Sequence, residues 1–444
     1  MSRLSGAFVP SNLRDWLKQL AQMVVLGVLV GVACWPFNLV DRWQDQLLQL
    51  LPAFSGGSWG PISLALACSP VLVLPLLLLL QRGVLARGAG SGIPQTMVCI
   101  EDPEQADRLQ GHTPTLQRLL LWTLASLSLL PIGREGPVVQ VGAFVAHGLR
   151  RRFPGWLPHL SYANLLAVAG GAGLAGGFDT PMLGVVFVVE EFISSFSSLL
   201  IWPAMLVGAA AAAFSNLAGQ PEFALGTLAV EPLELVQVFW AVPIGLGGGL
   251  LGALFGRMLL AFTRRCFRLT RRYPLRLGLV LGLVLALFML ISGGGSGGDG
   301  EALMTRLLEQ GALAGPLSGS LFADLAMLLL RLIGPVLALG TGVPGGLIDP
   351  SFAFGAVMGH LTGHSLGAEQ LGLALGMTAG LAGATQLPVM SVLFAVRMAG
   401  DQQLLPGLLL AAVLAAYVSR LLVDQPIYHA LKELSSEAAT TDLR

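Results

Sequence analysis

The sequence predicts an all-α, polytopic membrane protein built from two internally repeated, inverted halves with many tilted and broken helices. Three observations predict it. The first is composition: of 444 residues, 54% are hydrophobic and 11% charged, and mean hydropathy is +0.75. Soluble domains carry about 25% charged residues. The second is a series of apolar stretches at Met23–Val32, Ile62–Leu80, Leu116–Leu130, Val236–Phe262, Leu277–Ile291, Leu321–Leu339 and Leu404–Val423. They are long enough, or nearly so, to span a bilayer. A β-barrel needs alternating polar positions, which these runs lack. The third is the presence of 57 glycines and 26 prolines. Small residues let membrane helices approach closely, and helix breaks at membrane depth belong where they are buried or line a cavity. This combination favours a transporter or channel over a simple anchor.

Along the chain, the segment before Met23 is polar, so no cleavable signal peptide is expected. Arg3, Arg14 and Lys18 suggest a cytoplasmic N-terminus, and Trp35–Gly60, with one arginine, reads as external. Arg82 and Arg87, Arg150–Arg152, and Arg264, Arg265, Arg268, Arg271, Arg272 and Arg276 mark cytoplasmic loops. Val138–Leu149 and Gly367–Ala382 are short, Gly-rich apolar runs. Gly293–Gly300 lacks the Lys-Ser/Thr of a phosphate loop and reads as a helix break or external turn. Asp179 reads as a turn residue and Arg397 as a helix end. Cys34, Cys68, Cys99 and Cys266 have no metal spacing and read as reduced packing residues. His360 and His364 are four apart, but no carboxylate or Cys shares their spacing, so packing is favoured over metal binding. A net charge of +0 implies no nucleic-acid partner, and no cofactor is expected.

The second half echoes the first. At a shift of 207 residues, Gly173-Leu174-Ala175-Gly176 recurs as Gly380-Leu381-Ala382-Gly383, and Pro181, Val185, Phe187 and Val189 fall on Pro388, Val392, Phe394 and Val396. At a shift of 213, Gly133–Pro137 falls on Gly346–Pro350, Gly142-Ala143 on Gly355-Ala356 and His147 on His360. Chance similarity among Gly/Ala-rich helices explains the small residues but not the Pro, Phe and His matches. The reading is one membrane domain with halves at residues 1–228 and 229–444. In duplicated transporters the substrate site lies where interrupted helices of both halves meet.

Three Gly/Pro segments precede apolar runs: Gly90-Ser91-Gly92-Ile93-Pro94, Gly133-Arg134-Glu135-Gly136-Pro137 and Gly346-Leu347-Ile348-Asp349-Pro350. Each is suited to ending an extended stretch and starting a helix. A helix start offers free N–H groups and a positive dipole end to an anion. Ser91 adds a hydroxyl, although helix capping alone would also explain it. Such a site binds an anion without a full positive charge, so the ion can enter and leave. Glu135 places a carboxylate where a free anion would sit, and an ionisable residue at that depth marks a functional site.

Gly90–Pro94 and Gly133–Pro137 resemble signatures of the CLC family of chloride channels and proton–chloride antiporters. Val186-Phe187-Val188-Val189-Glu190-Glu191-Phe192 is similar to that family's paired-glutamate segment, Gly346–Pro350 to its third anion-site segment, and Pro426-Ile427-Tyr428 to its late pore tyrosine. The resemblance runs from about residue 20 to 430. It implies that the Ser91 and Tyr428 hydroxyls coordinate a central anion. It implies that N–H groups around Arg134–Gly136 and across Leu347, Ile348 and Asp349 line an outer site. Glu135 is then the gating glutamate, which blocks the path when charged and carries a proton when neutral. Glu191 transfers protons internally, with Glu190 beside it. The implied partners are chloride, protons, the lipid bilayer and a second copy of the chain, with one pore per subunit. The implied location is the cytoplasmic (inner) membrane of a prokaryote. The chain ends 16 residues after Tyr428, so no C-terminal regulatory domain is expected.

The residues leave alternatives. Glu190 and Glu191 also fit an interfacial pair at a helix end, and a lone tyrosine such as Tyr428 often anchors at an interface. Ile348 stands where the family has an aromatic residue and Asp349 where it has a small apolar one. Asp349 either stabilises its helix N-terminus or adds a second titrating group to the pathway. The leading expectation is coupled chloride–proton antiport. A passive channel, an uncoupled carrier and, less favoured because the serine motif is intact, a fluoride exporter are the rivals. An enzyme is not expected: His-Glu-x-x-His is missing, and Asp299 of Gly298-Asp299-Gly300 has no evident partner for an aspartyl protease.

Overall fold

The computed structural model describes residues 13–193, 197–218, 238–310, 320–366, 368–400 and 402–441. The expected half boundary at 228/229, Arg3 and Gly367 lie outside them. The described chain is helical, apart from turns and one isolated antiparallel bridge between Gly133 and Gly346. Among the described residues, six helical spans are long and apolar enough to cross a membrane: Leu13–Leu48, Pro61–Arg82, Ala241–Arg272, Pro274–Ile291, Leu321–Leu339 and Leu405–Leu422. They match six of the seven predicted stretches, because sustained apolar length is a local property; the seventh, Leu116–Leu130, falls on the 16-residue His112–Leu127 helix, which is not among these spans. Pro61, Pro181, Pro274 and Pro388 each open a helix, where a missing N–H costs nothing. The chain is a multi-pass membrane protein.

Two compact units interleave along the sequence. The first comprises residues 1–39, 92–117 and 135–220, and the second residues 40–91, 118–134 and 221–444. In the first, the Glu135–Arg152 helix packs on the Tyr162–Gly177 helix. A Cβ on Gly142 would collide with the Ala169 carbonyl, and one on Gly173 with the Val138 carbonyl. In the second, Ile348–Leu366 packs on Glu369–Thr385. There a Cβ on Gly355 would collide with the Gly376 carbonyl, and one on Gly380 would lie 2.8 Å from the Ser351 carbonyl. Gly142 and Gly355, Gly173 and Gly380, and Val138 and Ser351 are the pairs related by the sequence repeat. Each unit thus contains the same close helix crossing. Pro181–Phe187 and Pro388–Ala399 likewise open on repeat-related prolines.

Several expectations change. Trp35–Gly60, read as external, carries regular structure: Trp35–Leu48 is a helix, followed by a short turn of helix at Pro52–Ser55. Its polar residues Asn38, Asp41 and Gln44 are buried, because they meet partners inside their units. Gly293–Gly300 breaks the helix, as expected, and residues 292–300 are buried. Arg331 donates three hydrogen bonds to its carbonyls, at Gly295, Gly297 and Gly298. Cys34, Cys99 and Cys266 are buried thiols outside any disulfide, whereas Cys68 is exposed on an apolar helix. His364 is exposed and meets a carboxylate after all, with Nδ1 2.7 Å from Glu369 Oε1; the fold supplies what linear spacing did not. Asp179 is a turn residue with φ +47°, and Arg397 lies in the last turn of its helix.

Candidate functional site

All three Gly/Pro segments begin helices: Ile93–Glu101, Glu135–Arg152 and Ile348–Leu366. Gly92 is the N-cap of the first, at φ +114°. A Cβ there would be strained by that angle and would strike the Gly136 carbonyl, so only glycine lets the two segments approach within the first unit. Gln95, not Ser91, completes the cap: Gly92 N donates to Gln95 Oε1 at 2.8 Å. The capping role for Ser91 is therefore corrected. Ser91 Oγ is shielded from solvent and has no hydrogen-bond partner among the described residues. A buried hydroxyl without a partner costs about 1–3 kcal/mol, so this one is poised for a ligand that accepts a hydrogen bond.

The loop carrying Ser91 is held firmly within the second unit. Arg118, 2% exposed, donates to Ala89 O and Gly90 O at 2.9 Å each. Gly90 N donates to Gly342 O at 2.9 Å, and Gln81 Nε2 donates to the same carbonyl at 2.7 Å. Across the bridge, Gly133 N donates to Gly346 O and Gly346 N to Gly133 O, both at 2.9 Å. Trp122 Nε1 adds a 3.1 Å bond to Gly133 O. The residues that the sequence repeat aligned are therefore hydrogen-bonded to each other. This ladder fixes the peptides that lead into Arg134 and Leu347.

Arg134 is 1% exposed. Its guanidinium turns away into the second unit, where Asp41 Oδ2 accepts from Nη1 and Glu301 Oε2 lies 3.7 Å from Nη2. Carboxylate oxygens of Asp41, Asp299 and Glu301 lie within 4.8 Å of one another. Asp299 thus has acidic neighbours, contrary to the sequence reading, although they surround an arginine. Leu347, Ile348 and Asp349 are buried, at 2%, 0% and 2% exposure. Asp349 lies in the first turn of its helix, where a negative charge faces the positive dipole end. Tyr428 is fully buried at the start of the Ile427–Thr441 helix, which removes the interfacial-anchor reading.

In the first unit, Glu135 is fully buried in the first turn of its helix, and Gly136 follows it, also buried. Glu190 and Glu191 lie on a π-helical turn, Val188–Phe192, that continues Pro181–Phe187. Such turns are rare and recur at functional sites. Glu190 is half-buried, whereas Glu191 is 1% exposed. That burial rejects the interfacial reading for Glu191 and leaves it open for Glu190. The Phe187 and Phe192 rings pack edge to face at 4.9 Å around the turn.

Sequence reasoning missed Asp41, Glu301, Arg118 and Gln81. Asp41 and Arg118 carried a readable signal, since each is a charge within an apolar or helical membrane segment. Glu301 and Gln81 carried none, because their roles depend on contacts made far along the chain.

Residues 71–420 match the family model described as "Voltage gated chloride channel". A curated relative, the voltage-gated ClC-type chloride channel ClcB of Escherichia coli (strain SMS-3-5 / SECEC), is 29% identical over 346 residues, covering 75% of this chain and 78% of that protein. Among solved structures, a slow cyanobacterial Cl-/H+ antiporter aligns with TM-score 0.76 and 20% identity, covering 94% of this chain and 98% of the other. A CLC-type fluoride/proton antiporter aligns with TM-score 0.73 and 24% identity, covering 93% and 97%. The chain has the fold of these proteins, and its matched segment takes in all but the last of the expected site segments, the one ending at Tyr428. It belongs to the voltage-gated chloride channel (CLC) family.

Proposed function

We propose that the protein exchanges chloride for protons across a membrane, as a homodimer with one pore per subunit in a prokaryotic inner membrane. The observation that carries this reading is the shielded Ser91 hydroxyl, which lacks a partner among the described residues and precedes a helix start. Chloride accepts hydrogen bonds and would satisfy it. Tyr428 is the second central ligand. The peptides of Arg134, Gly136, Leu347, Ile348 and Asp349 supply N–H groups to the outer site.

Coupling follows from competition. A charged Glu135 and a chloride ion seek the same N–H groups. Protonation removes the charge of Glu135, and the anion then prevails. Anion and proton occupancy are thereby linked reciprocally, as any coupled pair of sites must be. Glu191, buried on its π turn, passes the proton to and from the cytoplasm, with Glu190 beside it. Asp349 acts as a helix-start charge.

The relatives named as channels support a second reading, passive chloride conduction. Parallel chloride and proton flux from proteoliposomes separates the two. Glu191→Gln is expected to lower proton flux to background while chloride flux stays within about twofold. Equal loss of both fluxes would remove Glu191 from the proton path. Chloride flux without proton movement in the unmutated protein would make it a channel or an uncoupled carrier.

A further inference from the structure

The exchange mechanism uses the Arg134 peptide but leaves its side chain, and the buried Gly293–Gly300 break, without a task. Within the second unit the two meet. Residues Gly298 and Gly300 adopt φ +67° and +114°, which turns the chain sharply into the Glu301–Gln310 helix. Glu301 N donates to Asp299 Oδ1 at 3.0 Å. Gly298 N donates to Leu129 O at 2.9 Å. The Arg331 guanidinium, 1% exposed, holds the carbonyls of Gly295, Gly297 and Gly298 at 2.8–2.9 Å. The turn is therefore rigid.

This turn touches both anion-lining segments of the unit. Through Glu301 it reaches Arg134, whose Nη2 lies 3.7 Å from Oε2. Through Gly300 it lies against Ala353 in the Ile348–Leu366 helix, so closely that a Cβ on Gly300 would overlap the Ala353 methyl. The Gly133–Gly346 bridge joins the same two segments at backbone level. Asp41 holds Arg134 from the Trp35–Leu48 helix.

We propose that the Gly298–Glu301 turn positions the outer anion site, with Glu301 and Asp41 as positioning residues that hold the Arg134 peptide through its side chain. The inference rests on the exchange reading above. Donors of a preorganised site must hold their geometry within about 0.5 Å. Loosening the Arg134 anchor at Glu301, with the Asp41 ion pair kept, therefore weakens anion binding before it affects the fold. Glu301 also lines a cavity of about 400 Å³ with Arg42, Asp45, Arg306 and Glu309. Glu309 does not touch Arg134 in this arrangement and serves as a charge control.

The test measures chloride flux against chloride concentration in proteoliposomes, with thermal midpoints in detergent. Glu301→Gln is expected to raise the half-saturating chloride concentration at least fivefold, with maximal rate within twofold and an unchanged midpoint. Glu309→Gln should leave all three unchanged. Ala353→Gly removes the methyl under Gly300 without altering any charge, and is expected to raise half-saturation as well; it decides the matter if Glu301→Gln fails to fold. Unchanged half-saturation overturns the proposal, as does loss of rate and midpoint together, which would assign the turn a purely structural role. Absence of chloride flux in the unmutated protein overturns the exchange reading and this proposal with it.

Discussion

Glu135→Gln is expected to lower proton flux by about two orders of magnitude, the factor a positioned proton-transfer group commonly contributes, while chloride still crosses. The substitution keeps the size of the side chain and removes both its charge and its proton. Glu135 is fully buried in the first turn of the Glu135–Arg152 helix, so it has no solvent-exposed resting place. If Glu135 is the gate proposed above, acid neutralises its carboxylate in the unmutated protein and admits the anion. Chloride flux therefore rises as pH falls. In the variant the neutral form is permanent, so flux is high and flat with pH. Chloride efflux recorded across a pH series checks both points. A variant that keeps its pH dependence would remove Glu135 from the gate.

Asp41→Asn is expected to have the largest effect on stability. Asp41 and Arg134 are 2% and 1% exposed and form an ion pair. Removing one partner of a buried pair strands the other charge, at a cost of about 3–5 kcal/mol. Glu301, at 3.7 Å, compensates only in part. Replacing both partners, as Asp41→Asn with Arg134→Gln, should recover part of the loss, because the two amides can pair with each other, although Glu301 then loses Arg134 as its neighbour. Thermal unfolding of the two variants against the unmutated protein measures this. Equal midpoints for all three would show that the pair contributes nothing net.

The two substitutions separate what the sequence makes legible from what it does not. Helix starts at Ile93, Glu135 and Ile348 are local events, announced by glycine and proline within five residues. The repeat is legible for the same reason: close crossings at Gly142 and Gly355 require small residues at fixed spacing. The anchor of Arg134 is not local. Asp41 is 93 residues away, in a segment whose polar residues resemble a solvent-exposed connection. Their three-residue spacing, Asn38, Asp41 and Gln44, instead marks a buried helical side, and that period was the available clue. The π turn under Glu190 and Glu191 had no signal of this kind, because one extra residue per turn leaves apolar composition unchanged. Ser91 shows the reverse case. Its motif was legible, but only the geometry shows that Gln95 caps the helix and that the serine hydroxyl has no hydrogen-bond partner among the described residues.

The most direct test of coupled exchange uses unmutated protein in sealed vesicles with equal pH on both sides and a steep chloride gradient. Coupled exchange predicts that chloride running down its gradient drives protons the other way, building a pH difference from none. The pH difference should collapse when a proton ionophore is added. Rapid dissipation of the chloride gradient with no pH change would contradict it.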